Sequence, residues 1–306
     1  MAWLMERRTA MFNLKSGKLC VEITEPGEKP NTGFRFDRAA FVSEVIYDGM
    51  RFCASEPQNL SHPCSGGRGF CSEYRFDTSA DAKVGEYFPK FGVGLIKKEA
   101  DEPYIFHKAY KDVKDFPVKI SHDENSAVFT TEAVPCLGYA MRAEKKLMIS
   151  DDTMTLTTIV ENVGEKEIIM EEFCHNFISI DGMAVGSDYE LSMPQIPDQG
   201  NERLKNRRGY GGVLRGNGSG FTFCEFTAVD TDICVEGGDI RPEIPFTWKM
   251  THKGARASVE CSDYFVPKKV PVWGADHMFC PEVVHGFSLK PGESHEWKRV
   301  WKFSRY

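Results

Sequence analysis

The sequence predicts an all-β fold, a sandwich or barrel of many short strands. Short β-branched and aromatic runs follow one another closely, each bounded by Gly, Pro, Asn or Asp. No 10-residue stretch combines helical periodicity with caps, and no unit of 20–50 residues recurs. The composition suits a large core: 41% of the 306 residues are hydrophobic and 22 are Phe. No linker interrupts the pattern, so residues 1–306 read as one domain.

In chain order, strands are expected over 33–37 and 40–47. Asp48-Gly49 gives a hairpin turn, and 50–53 returns. Residues 55–90 are rich in Pro and Gly and read as loop, where binding groups tend to sit. Further strands are expected over 91–97, 104–110, 118–121, 127–132, 139–149 and 154–161, with a turn at Asn162-Val163-Gly164. Residues 194–220 read as a second long loop. Strands resume over 221–226, 233–236, 246–250, 257–261 and 264–266. The last hairpin joins 286–289 to 296–303 through Lys290-Pro291-Gly292-Glu293, and Trp297, Arg299, Trp301 and Phe303 share one face of its second strand.

Lys plus Arg number 38 and Asp plus Glu 45, a net charge of −7 with the signs mixed along the chain. That balance argues against nucleic-acid or anionic-membrane partners. The first residues show no apolar export signal, and no run approaches membrane-spanning length. A cytoplasmic protein is expected, its 10 Cys reduced and several packed as small hydrophobes. No CxxC pair occurs, so no metal site is expected. Composition leaves monomer and homodimer open.

Residues 170–181 organise the rest of the chain. They read as a strand closed by Gly182. Alternation puts Glu171, Phe173, His175 and Phe177 on one face and Met170, Glu172, Cys174 and Asn176 on the other. A carboxylate, two rings and an imidazole in a row offer a platform for the apolar face of a small ligand and a group that titrates near neutrality. The competing reading of His175 is a hydrogen-bonded core histidine. A second constellation lies near the C-terminus, where Trp273, His277, Cys280-Pro281-Glu282 and His285 fall within a few residues of one another. Its plain alternative is a surface turn with an exposed Glu. The glycine clusters at 209–212 and 216–220 lack the strand–Gly–helix context of a phosphate loop, GxSxG and HExxH are absent, and the basic run 203–208 reads as a solvated loop face.

Glu172-Phe173-Cys174-His175-Asn176-Phe177, the later Cys280-Pro281-Glu282, the Lys290-Pro291-Gly292-Glu293 turn and the Trp-rich last strand together resemble the aldose 1-epimerase (galactose mutarotase-like) family. The resemblance runs through the whole chain, from the 33–37 run and the 45–49 hairpin onward. It implies a large antiparallel β supersandwich with a sugar cleft, His175 as general acid and Glu282 as general base. Where the family often carries His-Gly-Gly, this chain has Ser65-Gly66-Gly67, with His62 the nearest imidazole. Arg68 and Glu73 are then the expected hydroxyl contacts, a fork of donors or acceptors suiting vicinal hydroxyls. Lys90, Asn176, Trp273 and His285 complete the candidate sugar site.

Anomer interconversion needs a base for the C1 hydroxyl proton and an acid for the ring oxygen. It asks for no metal or organic cofactor. His175 must then hold a proton near neutrality, helped by a carboxylate, for which Glu171 is the candidate. The two catalytic groups should face each other across about 5–8 Å, one sugar ring. Two other readings stand beside this one: a carbohydrate-binding protein without turnover, and a lyase-type carbohydrate enzyme on the same scaffold.

Overall fold

The computed structural model describes residues 11–26, 33–56, 66–196, 214–216, 220–223, 231–236 and 240–306. Among them run 23 strands. The first half holds β1 (Met11–Ser16), β2 (Leu19–Thr24), β3 (Phe41–Tyr47), β4 (Met50–Arg51), β5 (Phe70–Arg75), β6 (Tyr87–Lys90), β7 (Gly94–Lys97), β8 (Val113–Asp115), β9 (Val118–His122), β10 (Ser126–Thr131), β11 (Met141–Ser150) and β12 (Thr153–Asn162). The second half holds β13 (Ile168–Asn176), β14 (Tyr189–Ser192), β15 (Leu214–Gly216), β16 (Gly220–Phe223), β17 (Thr231–Glu236), β18 (Phe246–His252), β19 (Ala257–Asp263), β20 (Lys269–Ala275), β21 (Met278–Pro281), β22 (His285–Leu289) and β23 (Ser294–Arg305).

Two large antiparallel sheets carry the fold. One has ten strands in the order β15-β16-β14-β18-β19-β23-β12-β11-β10-β9. The other runs β1-β2-β3-β5-β13-β22, with β4 paired to β3. Two three-stranded sheets, β17-β20-β21 and β6-β7-β8, flank them. In β11 every second residue is buried and the rest are exposed, so that part of the ten-stranded sheet has one wet face and one core face.

The core lies between the large sheets, where Val45, Phe70, Met170 and Cys174 meet Phe129, Leu156, Trp248 and Trp301. The Phe70 ring meets the Trp301 ring edge-on at 5.5 Å. A buried ion cluster crosses the same gap: Arg299 of β23 bonds Glu172 of β13 at 2.7 Å and Asp263 of β19 at 3.0 Å. The even residues of β13 therefore face the ten-stranded sheet. The odd ones face away, as alternation predicts, and that outer face carries the site.

Several elements differ from expectation. Residues 33–37 bend instead of forming a strand, because Asp37 N–H bonds Ser72 O and Arg38 N–H bonds Gly92 O, tying the run to two different segments. Residues 104–110 turn around a Lys108 N–H to Ile105 O bond, and 264–266 form no strand, with a bend at Tyr264 and Phe265. The β1–β2 hairpin was not anticipated, nor were β20 and β21 under the C-terminal constellation. Within 55–90, β5 forms a central strand buried along almost its whole length, although Ser72 and Glu73 break its apolar run. The expected 170–181 strand ends at Asn176, and a 3-10 turn occupies Ile180–Gly182. The basic run 203–208, the 209–212 glycines, Ser65 and His62 lie outside the described residues.

Candidate active site

The register of two chain segments creates the site. Beyond the end of β13, Ile178 exchanges both backbone hydrogen bonds with Phe279 of β21, each at 2.9 Å. The pairing is antiparallel, so three residues back from Ile178 lies opposite three residues on from Phe279. Those residues are His175 and Glu282. His175 Nδ1 lies 2.8 Å from Glu282 Oε1.

Within its own sheet β13 pairs with β5, where Glu73 is opposite Phe173 and Cys71 opposite His175. Glu73 and His175 thus form a diagonal pair on one face. Glu73 Oε2 accepts from His175 Nε2 at 3.0 Å and from Arg35 Nε at 2.7 Å. Both imidazole nitrogens consequently meet a carboxylate. Three rings box the imidazole: Phe177 stacks at 5.3 Å, Phe173 tilts at 4.7 Å and Phe36 stands edge-on at 5.0 Å.

Burial alone would drive the His175 pKa down and resists its charge. The negative charge of Glu282, joined by hydrogen bonds from Glu282 and Glu73, more than reverses this, and the pKa is raised above its ordinary value. Glu73 would be pushed up by burial, yet Arg35 and the His175 bond hold it well below the carboxylate range. Glu282 is likewise lowered against burial, chiefly by His175. The result is an imidazole clamped between two carboxylates, which raise its proton affinity. The His175 side chain is 1% exposed and that of Glu282 13%, so Glu282 is the solvent-facing member of the pair.

Glu73 also lines a cleft of about 360 Å³, within the size range of small-molecule sites. Arg75, Lys90, Thr78, Tyr104 and Phe106 are among its other walls. The Arg35 guanidinium lies over the Phe106 ring at 4.5 Å and over Phe36 at 5.0 Å, joining the cleft wall to the His175 box. Lys90 Nζ donates to Tyr74 O and lies 5.3 Å from the Tyr104 ring centre. Burial pulls the Lys90 pKa down to about 8, opposed by Glu73. The arrangement sets an imidazole between two carboxylates, of which Glu73 also lines a cleft with aromatic walls and cationic side chains; His175 and Glu282 are not among the residues lining it.

The structure brings together His175, Glu282, Glu73 and Lys90. Of the remaining candidates, Trp273 borders this group and the others point away from it. Asn176 points to the core side: its Nδ2 donates to Pro281 O at 2.6 Å and its Oδ1 accepts from Trp301 Nε1 at 2.9 Å. Its amide is consumed in holding the residue before Glu282. His285 is opposite Glu172 in the β13–β22 register and so also faces the core side. There it stacks on Phe265 at 4.2 Å and meets His295 at 2.7 Å, and burial drives its pKa down to about 3. Arg68 is exposed, and its Nε donates to Ser43 O. Trp273 of β20 sits edge-on to Phe177 at 6.4 Å, packed beside the apolar cluster under His175. Glu171 pairs with Lys268 at 2.7 Å and Lys269 at 2.9 Å, so it is not the carboxylate that supports His175. The expected gap of about 5–8 Å is not present either, since His175 and Glu282 touch directly.

Arg35, Tyr104 and Phe106 were missed. They belong to segments without regular structure and enter the site through long-range packing, which leaves no mark in local spacing. The Gly66-Gly67 pair does have a structural account. A Cβ on Gly67 would stand 2.0 Å from Phe177 Cε2, so only glycine lets that ring stack on His175.

No protein-family profile matches the chain, and no curated protein matches its sequence. Solved structures do match. A candidate aldose 1-epimerase from Escherichia coli K12 superposes with a TM-score of 0.60 at 12% identity, covering 97% of this chain and 99% of that one. A galactose mutarotase-like protein from Clostridium acetobutylicum gives 0.56 at 14%, covering 97% and 95%. A galactose mutarotase related enzyme from Lactobacillus acidophilus gives 0.55 at 12%, covering 96% and 97%. The chain therefore has the galactose mutarotase-like fold of these proteins, along essentially its whole length.

Proposed function

We propose that the chain is an aldose 1-epimerase-type isomerase that interconverts the anomers of a small reducing sugar or sugar derivative. The carrying observation is the Ile178–Phe279 bridge, which sets Glu282 against His175, an imidazole with a carboxylate at each nitrogen. In this reading the sugar enters past Glu282 and separates the pair. Glu282 takes the C1 hydroxyl proton while His175 Nδ1–H protonates the ring oxygen, and the ring opens. Rotation about C1–C2 and the reverse transfers close it on the other face. Each group contributes roughly 10²–10⁴-fold. Glu73 stays on Nε2, fixing the imidazole and favouring its cation. Arg75 and Lys90 serve as hydroxyl donors, and Tyr104 and Phe106 as apolar walls.

The direct His175–Glu282 contact and the burial of His175 favour a second reading, sugar binding without turnover. Exchange NMR on a panel of aldoses decides between them. Saturation transfer between the two anomer signals, accelerated by protein, supports the isomerase. Saturable binding without acceleration supports the binding protein.

A further inference from the structure

We infer that His175, Cys280 and Glu282 form a binding site for a zinc-class divalent ion. Cys280 lies on β21, two residues before Glu282, unbridged and buried. Its Sγ is 4.0 Å from His175 Nδ1 and 3.6 Å from Glu282 Oε1, while Nδ1 and Oε1 are 2.8 Å apart. A tetrahedral zinc holding one nitrogen, one sulfur and one oxygen needs them roughly 3.3–3.6 Å from one another. No pair of donors has to shift by more than about 0.5 Å to meet that triangle. The fourth position would face the Glu282 side, the partly exposed one.

A second feature points the same way. Metal-bound imidazoles commonly give their other nitrogen to a carboxylate, which fixes ring orientation and raises basicity. Glu73 stands in that position, 3.0 Å from His175 Nε2 and anchored by Arg35.

Charge balances in the loaded site. On binding, the Cys280 proton and any proton on Nδ1 leave to solvent. The ion's two positive charges and Arg35 then offset the thiolate and the two carboxylates, so the buried site is neutral, as burial requires. The metal state has no Nδ1 proton, so the ion acts as a reversible inhibitor of anomer exchange. That consequence rests on the proposed function, whereas the binding itself does not.

The test is titration of the full chain with Co²⁺ alone and with Zn²⁺ alone, without sugar, on wild type, Cys280→Ser and Glu73→Gln. The expected results are one ion per chain and a thiolate-to-cobalt charge-transfer band. The band disappears in Cys280→Ser, and zinc affinity falls about 10–100-fold in Glu73→Gln. A cobalt spectrum without a thiolate band overturns the site, as does Cys280→Ser binding as tightly as wild type. Should Cys280→Ser fail to fold, the near-isosteric Glu73→Gln decides: unchanged zinc affinity there overturns the site. Anomer exchange that is absent with or without metal, beside an intact cobalt band, rejects the isomerase reading and leaves the metal site standing.

Discussion

Asn176 Nδ2 donates to the carbonyl of Pro281 at 2.6 Å across the line where β13 meets β21. Trp301 holds the other end of the same amide at 2.9 Å. A residue on the core face of the strand thus fixes the backbone one position before Glu282. Asn176→Ala leaves the Pro281 carbonyl and the Trp301 N–H without this partner. The expected loss is about 2–4 kcal/mol in urea unfolding. Anomer exchange should also fall, because the carboxylate loses its register with His175. Unchanged stability would contradict the clamp.

The pH dependence follows from three directions. The His175 pKa is raised above its ordinary 6.5, so its pairing stabilises the fold fully below that value and is lost as pH climbs through the raised one. Glu73 and Glu282 are lowered from 4.5, so their contributions are present above that value and are lost as pH falls through the lowered ones. Anomer exchange, which needs ionised Glu282 and protonated His175, should therefore have an alkaline limb above pH 6.5. A rate profile whose alkaline limb lies at or below 6.5 would exclude His175 as the acid.

Glu73→Gln keeps the shape beside Nε2 but removes a charge. The His175 pKa should drop, read from the imidazole signals in an NMR titration, and the alkaline limb should move down with it. A limb that stays in place would mean that Glu282 alone sets the proton affinity.

Phe106→Ala removes a cleft wall and the ring beneath Arg35. Lost aromatic contact and cation–π stacking, roughly 1–2 kcal/mol, should appear as a KM raised about 5–30-fold, with a smaller change in kcat. An unchanged KM would place the sugar outside this cleft.

Gly67→Ala forces a methyl against Phe177. Overpacking should cost about 1–3 kcal/mol in thermal or denaturant unfolding. A neutral substitution would show that the Phe177–His175 stack is not constrained by this glycine.

Much of the fold could be read from the sequence, because β periodicity and turn residues act locally. Alternation placed Phe173, His175 and Phe177 on one face, and the rings around the imidazole reflect it. The same alternation directs Asn176 to the opposite face. Its candidacy as a sugar contact could have been dismissed on that ground, while its bond to Pro281 depends on the Ile178–Phe279 bridge between segments about a hundred residues apart. His285 was misassigned for a related reason: its side is set by standing opposite Glu172, a register invisible in local sequence. Glu73 was found through its place beside the glycine cluster, but its charge partner Arg35 was not. That residue sits in a run that looked like a strand and instead bends between two segments. Segments such as 33–37 and 104–110 are decided by tertiary hydrogen bonds, which strand propensity does not encode.

The most direct measurement compares anomer exchange by wild type and Glu282→Gln at neutral pH on a sugar the wild type turns over. The amide keeps the shape of the carboxylate but cannot take the C1 hydroxyl proton. The account predicts a rate lowered about 10²–10⁴-fold with sugar binding retained. A Glu282→Gln protein that exchanges anomers as fast as wild type would contradict it.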